Sequence, residues 1–483
     1  MPEPRRAPVT DPPPPGAPSS RSRDVRADGA RAVLGGPLLG NAFLRDPYPT
    51  YRTLRDAAPV VWSDEFFGGA WLLSRHADVE LVLRDARFSA QRTGGWVMHP
   101  ADAAPTPGRE GRLALAGFQR LFARAMIFLD APDHARVRHA MSAAFRAADV
   151  QRLAPRIERA VARRLAAIDS AAPFDFVSAL ARPLPAEVIG LLMGLDADTG
   201  TGIDTRQGGT ETEPPADLVA WSDELADFIG ASAPSRAQAL RAQAALLAMA
   251  RHFDALLARR RAALSGGAEP HDDVIGRLLQ AERSGQIRGS AELLAQCVML
   301  LFAGHETTRH LLAGGLRTLL SHPDQWHRLQ RDPALLNSAV RELLRFDSPV
   351  QYSGRRVATD LSLHGQTLRR GELVVALIGA ANRDPARHER PDDFDITRRA
   401  APPLAFGHGP HVCIGAALTM IEAQAVFSQV LQRWPDLVLA QPNDAAHWTG
   451  NALYRGLTDL SVRCSGGGGT LSNSDAYTAS LSF

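Results

Sequence analysis

Over most of residues 76–350, apolar positions recur every three or four residues, the spacing of a helix with one buried face. "DVQRLAPRIERAVARRLAAI", "AQALRAQAALLAMARHFDALLARRRAAL" and "ALLNSAVRELLRF" all follow this rule, as do Tyr48, Tyr51 and Leu54 nearer the start. Two stretches depart from it. "VVWSDEFFGGAWLLS" (60–74) reads as a β-hairpin turning at Gly68-Gly69. After residue 350, "GRRVATDLSLHGQTLRRGELVVALIGAANRD" alternates and carries turn glycines, which predicts short strands. One more helix, "IGAALTMIEAQAVFSQVLQRW", is expected to start at Cys413 or Ile414. The pattern predicts a mainly α (α+β) body with minor sheets.

The flanks lack this periodicity. A Pro- and Arg-rich tail is expected over 1–37, a single folded domain over 38–463, and a Gly- and Ser-rich tail over 464–483. "GTGIDTRQGGTETEPPAD" (200–217) reads as a long surface loop. The longest apolar run, "LLAQCVMLLFAG" (293–304), stops at Glu292 and at His305-Glu306, so it predicts a buried core helix and no membrane span. The first twenty residues hold arginines but no apolar segment of the secretory kind.

Composition narrows the function classes. The formal charge of the 483-residue chain is only +2, which gives no field suited to nucleic acid. All 54 basic residues are arginine, a bias ascribed to genome composition. Cys297, Cys413 and Cys464 are far apart and odd in number, so neither a zinc-type CxxC pair nor a disulfide framework is expected, and a reducing cytoplasm fits.

"AFGHGPHVCIG" (405–415) concentrates the chemistry: one cysteine, two histidines and three glycines in eleven positions. Glycines let backbone N–H groups approach a sulfur, and a helix starting beside it adds free N–H groups and the positive end of a dipole. That setting stabilises a thiolate, whether as metal or cofactor ligand or as nucleophile. A nucleophile needs a base held by a third group, and His411 has no such partner in the sequence. A buried filler cysteine is the third reading of this loop.

The spaced pattern F-G-x-G-x-H-x-C-x-G (Phe406, Gly407, Gly409, His411, Cys413, Gly415) resembles the haem-binding loop of the cytochrome P450 monooxygenases. The resemblance spans about residues 38–463 and implies that family's fold: a helix-rich triangular body with haem b between a long oxygen-binding helix and the cysteine-loop helix. It implies that Cys413 is the axial thiolate, with Phe406, Gly407 and Gly415 around it and His411 on a propionate. "LLFAGHETTRHLL" resembles the family's oxygen-binding helix, which makes Thr307 and Glu306 the alcohol and acid of proton delivery, with Ala303 and Gly304 against the haem. "DAPDHARVR" resembles the propionate clamp, giving His134 and Arg138, and Arg355 matches a further propionate arginine, with Arg356 as the neighbouring register. "ELLR" resembles E-x-x-R, giving a structural triad of Glu342, Arg345 and Arg398.

The same resemblance implies hydroxylation or epoxidation of a hydrophobic small molecule with O2, in secondary metabolism. No Gly-rich nucleotide-binding segment follows a strand, so a ferredoxin and its reductase are the expected electron donors. The substrate can be free or tethered to a carrier protein, and a monomer is expected. Met299, Ala303 and Val350 are the candidate substrate contacts, together with the 85–125 segment, the polar loop and the helices near 216–260. Rival classes are a haem-thiolate gas sensor, a peroxide-driven peroxygenase and a cysteine hydrolase. At Thr419-Met420 the chain departs from the family's usual Leu-Ala-Arg, which removes a charge from the proximal surface.

Overall fold

The computed structural model describes residues 27–92, 119–195, 216–232, 234–399, 402–441 and 446–465. The expected 200–217 loop, except its last two residues, lies outside these, as do 93–118 of the 85–125 segment and most of both tails.

Helices dominate, as the 3.6-residue period predicts. Those that shape the centre are α1 (Asp133–Ala144), α2 (Pro183–Met193), α3 (Ala216–Gly230), α4 (Arg236–Ser265), α5 (Ser290–Leu320), α6 (Leu336–Phe346) and α7 (Ala416–Arg433). The 31-residue α5 is buried on almost every side, from Leu293 to Leu319. That all-round burial is why its sequence is apolar on more than one face. No helix of the described residues is long and apolar enough to cross a membrane.

The hairpin forms with strands β1 (Val60–Ser63) and β2 (Ala70–Leu73), pairing Val60 with Leu73 and Trp62 with Trp71. Gly69 is required at its turn, because φ is +137° and a Cβ would lie 2.4 Å from the Trp62 ring. Three more strands complete the main sheet: β3 (Phe88–Ser89), β4 (Tyr352–Val357) and β5 (Leu373–Leu377), in the order β1-β2-β5-β4-β3. The β2–β5 pair is parallel and the others antiparallel. Sheet and helices meet along one large apolar core, with two smaller clusters under the N-terminal residues and the sheet.

Three local expectations are corrected. A helix, Gly29–Leu34, lies inside the expected tail, and Ala30 is fully buried. At the other end Cys464 is the last residue of a strand and pairs with Leu437. α7 begins at Ala416, not at Cys413 or Ile414: Gly415 is its N-cap, and the loop ahead of it is held in short 3₁₀ turns at 404–406 and 409–411.

Candidate active site

A cavity of about 240 Å³ lies between α5, the cysteine loop and the edge of β4. Met299, Ala303 and Thr307 line its α5 wall, spaced four residues apart and therefore on one helical face. Ala303 is exposed in the middle of an otherwise buried helix because it faces this space. The Thr307 hydroxyl donates to the Ala303 carbonyl at 3.1 Å, the back-bond that loosens a helical turn. Gly304 is not part of this wall. One residue turns the direction by about 100°, and a Cβ at Gly304 would meet Ile189 of α2 at 2.8 Å, so this glycine serves helix–helix contact.

Glu306 also points away from the cavity lining. It is buried, accepts from His310 Nε2 at 2.8 Å and lies 3.5 Å from Arg309. Burial pushes its carboxyl up, but His310, Arg309 and His305 outweigh that and hold it at about 2. Arg309 continues to Asp223 of α3 at 2.8 Å, and Arg182 bonds the same carboxylate. The acid is therefore ionised within a closed ion network.

The opposite wall is made by Ala405, Phe406, Gly407, His408 and His411. Gly407 and Gly409 adopt φ of +75° and +71°, and Gly409 packs so tightly on Arg84 that a Cβ would sit 2.9 Å from its Cα. The Cys413 N–H donates to the Phe406 carbonyl at 2.8 Å, which closes the loop. Cys413 is exposed, and a Cβ on Gly415 would lie 3.9 Å from its sulfur. Surrounding protein pushes the thiol up, while the N–H groups of Gly415 and Ala416 and the charge of Arg138 favour the thiolate.

Beside this loop sit four basic groups that have found no acid among the described residues. Arg355 is buried and bonds only Ser353 and the Gly354 carbonyl, and burial lowers it to about 10. Arg356, the next residue of β4, also lines the cavity but is less buried and bonds the Gly371 carbonyl. Arg138 donates to the Val412 carbonyl at 2.7 Å. His134 is buried with Nε2 unpartnered, and its ring lies 4.0 Å from that of His411. Burial, Arg355 and the other cations push His411 down to about 3, so it stays neutral.

The fourth group, Arg92, escaped the sequence reading. It lines the cavity, lies 4.8 Å over the Phe128 ring and donates to the same Gly354 carbonyl that Arg355 uses. Burial and Arg355 lower it to about 9. A single arginine after "FSAQ" has no periodicity to mark it. Unmatched guanidiniums around a cavity ask for carboxylates, and a haem with two propionates would fit them, with Cys413 in the same loop able to offer a thiolate.

Met299, Ala303 and Val350 all line the cavity, as do Phe67, Ile229 and Leu453. Away from it, Glu342 and Arg345 form a bidentate buried pair at 2.7 and 2.8 Å, and Arg398 Nε joins Glu342 at 3.1 Å. Arg345 also donates to the carbonyls of Asn382, Pro391 and Asp393, tying α6 to the segment that leads into the cysteine loop.

Comparison with known proteins agrees with this geometry. The family model described as Cytochrome P450 matches residues 235–447. Cytochrome P450 107B1 of Saccharopolyspora erythraea is 36% identical over 88% of this chain and 96% of its own. The 6-deoxyerythronolide B hydroxylase of the same organism is 31% identical over 89% of this chain and 98% of its own. A crystal structure of P450BioI, in complex with hexadec-9Z-enoic acid ligated to acyl carrier protein, superposes with a TM-score of 0.72 and 30% identity, covering 88% of this chain and all of that one. The cysteine loop, the basic groups without acids and these full-length relatives lead to one conclusion: the chain belongs to the cytochrome P450 family, and it is a haem-thiolate monooxygenase that uses O2.

Proposed function

We propose that this monooxygenase hydroxylates or epoxidises a hydrophobic small molecule of secondary metabolism, with electrons from a ferredoxin and its reductase. The observation that carries this is the placement of Thr307: its hydroxyl stands in an otherwise largely apolar cavity wall, one residue from an ionised, buried Glu306. When bound, the haem supplies O2 binding and oxygen transfer. The residues of the chain divide the remaining work. Cys413 would offer haem iron a thiolate, and the N–H groups of Gly415 and Ala416 would stabilise its charge. His134, Arg138, Arg355 and His411 would hold the propionates. Thr307 keeps a hydroxyl at the cavity, and Glu306 can pass it protons without opening the apolar space to water. Such a proton relay favours oxidation over a sensor role, and retention of both residues favours O2 over peroxide as oxidant.

Phe67, Ile127, Ile229, Met299, Phe302, Val350 and Leu453 offer the substrate an apolar surface. A carrier-tethered acyl chain is a second substrate class, supported by the likeness to P450BioI, whose structure is a complex with hexadec-9Z-enoic acid ligated to acyl carrier protein. The experiment is a titration of the purified enzyme with a metabolite panel, watching the Soret band move from low to high spin. Thr307→Ala should keep that shift while sending electrons to peroxide. Fully coupled product formation by Thr307→Ala would remove the proton role.

A further inference from the structure

We propose that His310 is the proton inlet of the site, receiving protons from a surface crevice at Gly456 and passing them to Glu306. The proposal rests on the reading of Thr307 and Glu306 as the proton-delivering pair. His310 lies one helical turn beyond Glu306 on α5, and its ring is the acid's shortest polar contact, Nε2 to Oε1 at 2.8 Å. Both side chains are buried. The other ring nitrogen, Nδ1, is buried and has no hydrogen-bond partner among the described residues. It faces Gly456, where a Cβ would lie only 1.8 Å from it, so the imidazole packs against bare backbone. Tyr454 stacks on the ring with centroids 6.0 Å apart and planes 30° apart.

Gly456 has a second neighbour. With Phe43, Leu44, Trp448, Thr449 and Tyr454 it also lines a partly open crevice with room for about one water. The imidazole therefore spans the thickness of one glycine, with one nitrogen toward the crevice and one on the acid. An imidazole can accept a proton on one nitrogen and release one from the other. In the step envisaged, a crevice water gives a proton to Nδ1 and the Nε2 proton leaves to the Glu306 carboxylate. Hydroxide remains in the crevice and is neutralised by bulk buffer. Exchange of the ring tautomer then restores the starting state.

Other groups face the same acid. Arg309 neighbours it, but an arginine stays protonated and cannot relay. Asp223 of α3 is tied to Arg309 and Arg182. His305 Nε2 bonds the Arg182 carbonyl at 3.0 Å, and that hydrogen bond fixes a proton there; its Nδ1 is left as an acceptor 3.9 Å from Glu306. Burial lowers His305, and its bonded ring proton faces the Arg182 carbonyl, so it offers none to Glu306. Tyr454 and Arg455 come from the C-terminal segment; burial and Glu306 raise the phenol, and Arg455 is paired with Asp347. His310 alone among these joins a transferable proton to a direct bond with Glu306.

The test uses the full-length, haem-loaded protein with its reductant. His310→Gln retains a donor to Glu306 but has no proton to relay, so it separates relay from positioning. Expected is a roughly tenfold or larger fall in product per electron pair, with peroxide replacing it, while the substrate-induced spin shift and the reduced carbon-monoxide band stay unchanged. The pH dependence of coupling should flatten in the same variant. Histidine-labelled NMR of the diamagnetic reduced carbon-monoxide complex gives a readout independent of turnover. The wild-type His310 ring proton should exchange with solvent without global unfolding, and Gly456→Ala should slow that exchange. If Thr307→Ala uncouples but His310→Gln stays coupled, the inlet is wrong and the proton pair stands. If Thr307→Ala is itself fully coupled, both fail. Should His310→Gln not fold, a wild-type ring proton that exchanges only on unfolding overturns the inlet.

Discussion

On the loop side of the cavity, Arg92, Arg138, Arg355 and His134 have settled for backbone carbonyls, one hydroxyl or nothing at all. On the α5 side, Glu306, His310, Arg309, Asp223 and Arg182 bond one another. Both walls are rich in charge, but the first is built to be completed by an anion, whereas the second already pairs acid with base and leaves only nitrogens of His305, Arg309 and His310 without partners. Buried donors without acceptors are costly, so their persistence marks a place where something charged belongs. Matched buried charges mark a device that works by moving protons or holding shape.

The contrast breaks most visibly at the sulfur. Cys413→Ser should abolish the thiolate-type Soret band of the reduced carbon-monoxide complex, and a variant that kept the band would take the ligand away from this loop. The next largest effect tests the matched kind of cluster. Glu342→Ala leaves Arg345 buried and Arg398 half-buried without their acid and should cost about 3–5 kcal/mol in urea unfolding. A loss within error of zero would mean that pairing does not brace the fold.

A pH measurement comes third. His388 is buried with both ring nitrogens unpartnered, and burial, with Arg345, His76 and Arg398 nearby, lowers it to about 4. Its folded value lies below the unfolded 6.5, so its contribution is present above pH 6.5 and is lost as pH falls from there through about 4. Up to about 3 kcal/mol is at stake. Unfolding midpoints at pH 7.5 and 5 should differ by more in the wild type than in His388→Asn. The smallest effect carries the sharpest sign. Arg355→Leu should stabilise the haem-free protein by about 1–2 kcal/mol, because it removes a buried charge with no acid, yet weaken haem retention. Denaturation with and without haem measures both, and destabilisation in both states would place Arg355 with the matched charges.

How much of this was legible in the chain depends on range. The helices, the hairpin and the four spaced motifs, Arg398 apart, are local patterns, each legible in one continuous stretch of the chain. Gly304 shows the limit of such reading, because "AGHETT" does not say which side of α5 faces the cavity; contact with Ile189 decides it. α7 starts later than the apolar spacing predicts because the glycines and Pro410 favour 3₁₀ turns before regular helix can begin. Arg92 becomes visible only when β4 and the Phe128 segment are folded around it. His310 did leave a signal, the i, i+4 spacing from Glu306, but its meaning depends on Gly456, well over a hundred residues later.

The parallel pairing of β2 with β5 joins Ala70–Leu73 to Leu373–Leu377, so a strand made early waits for some three hundred further residues. The cavity draws its walls from positions as distant as Phe67 and Tyr454. Contacts so remote in sequence close late and slowly. During synthesis on the ribosome, the prosthetic group can be captured only when almost all of the polypeptide has emerged. Truncated nascent chains should therefore remain colourless, and the supply of haem should govern the yield of finished molecules without affecting the first three quarters of assembly.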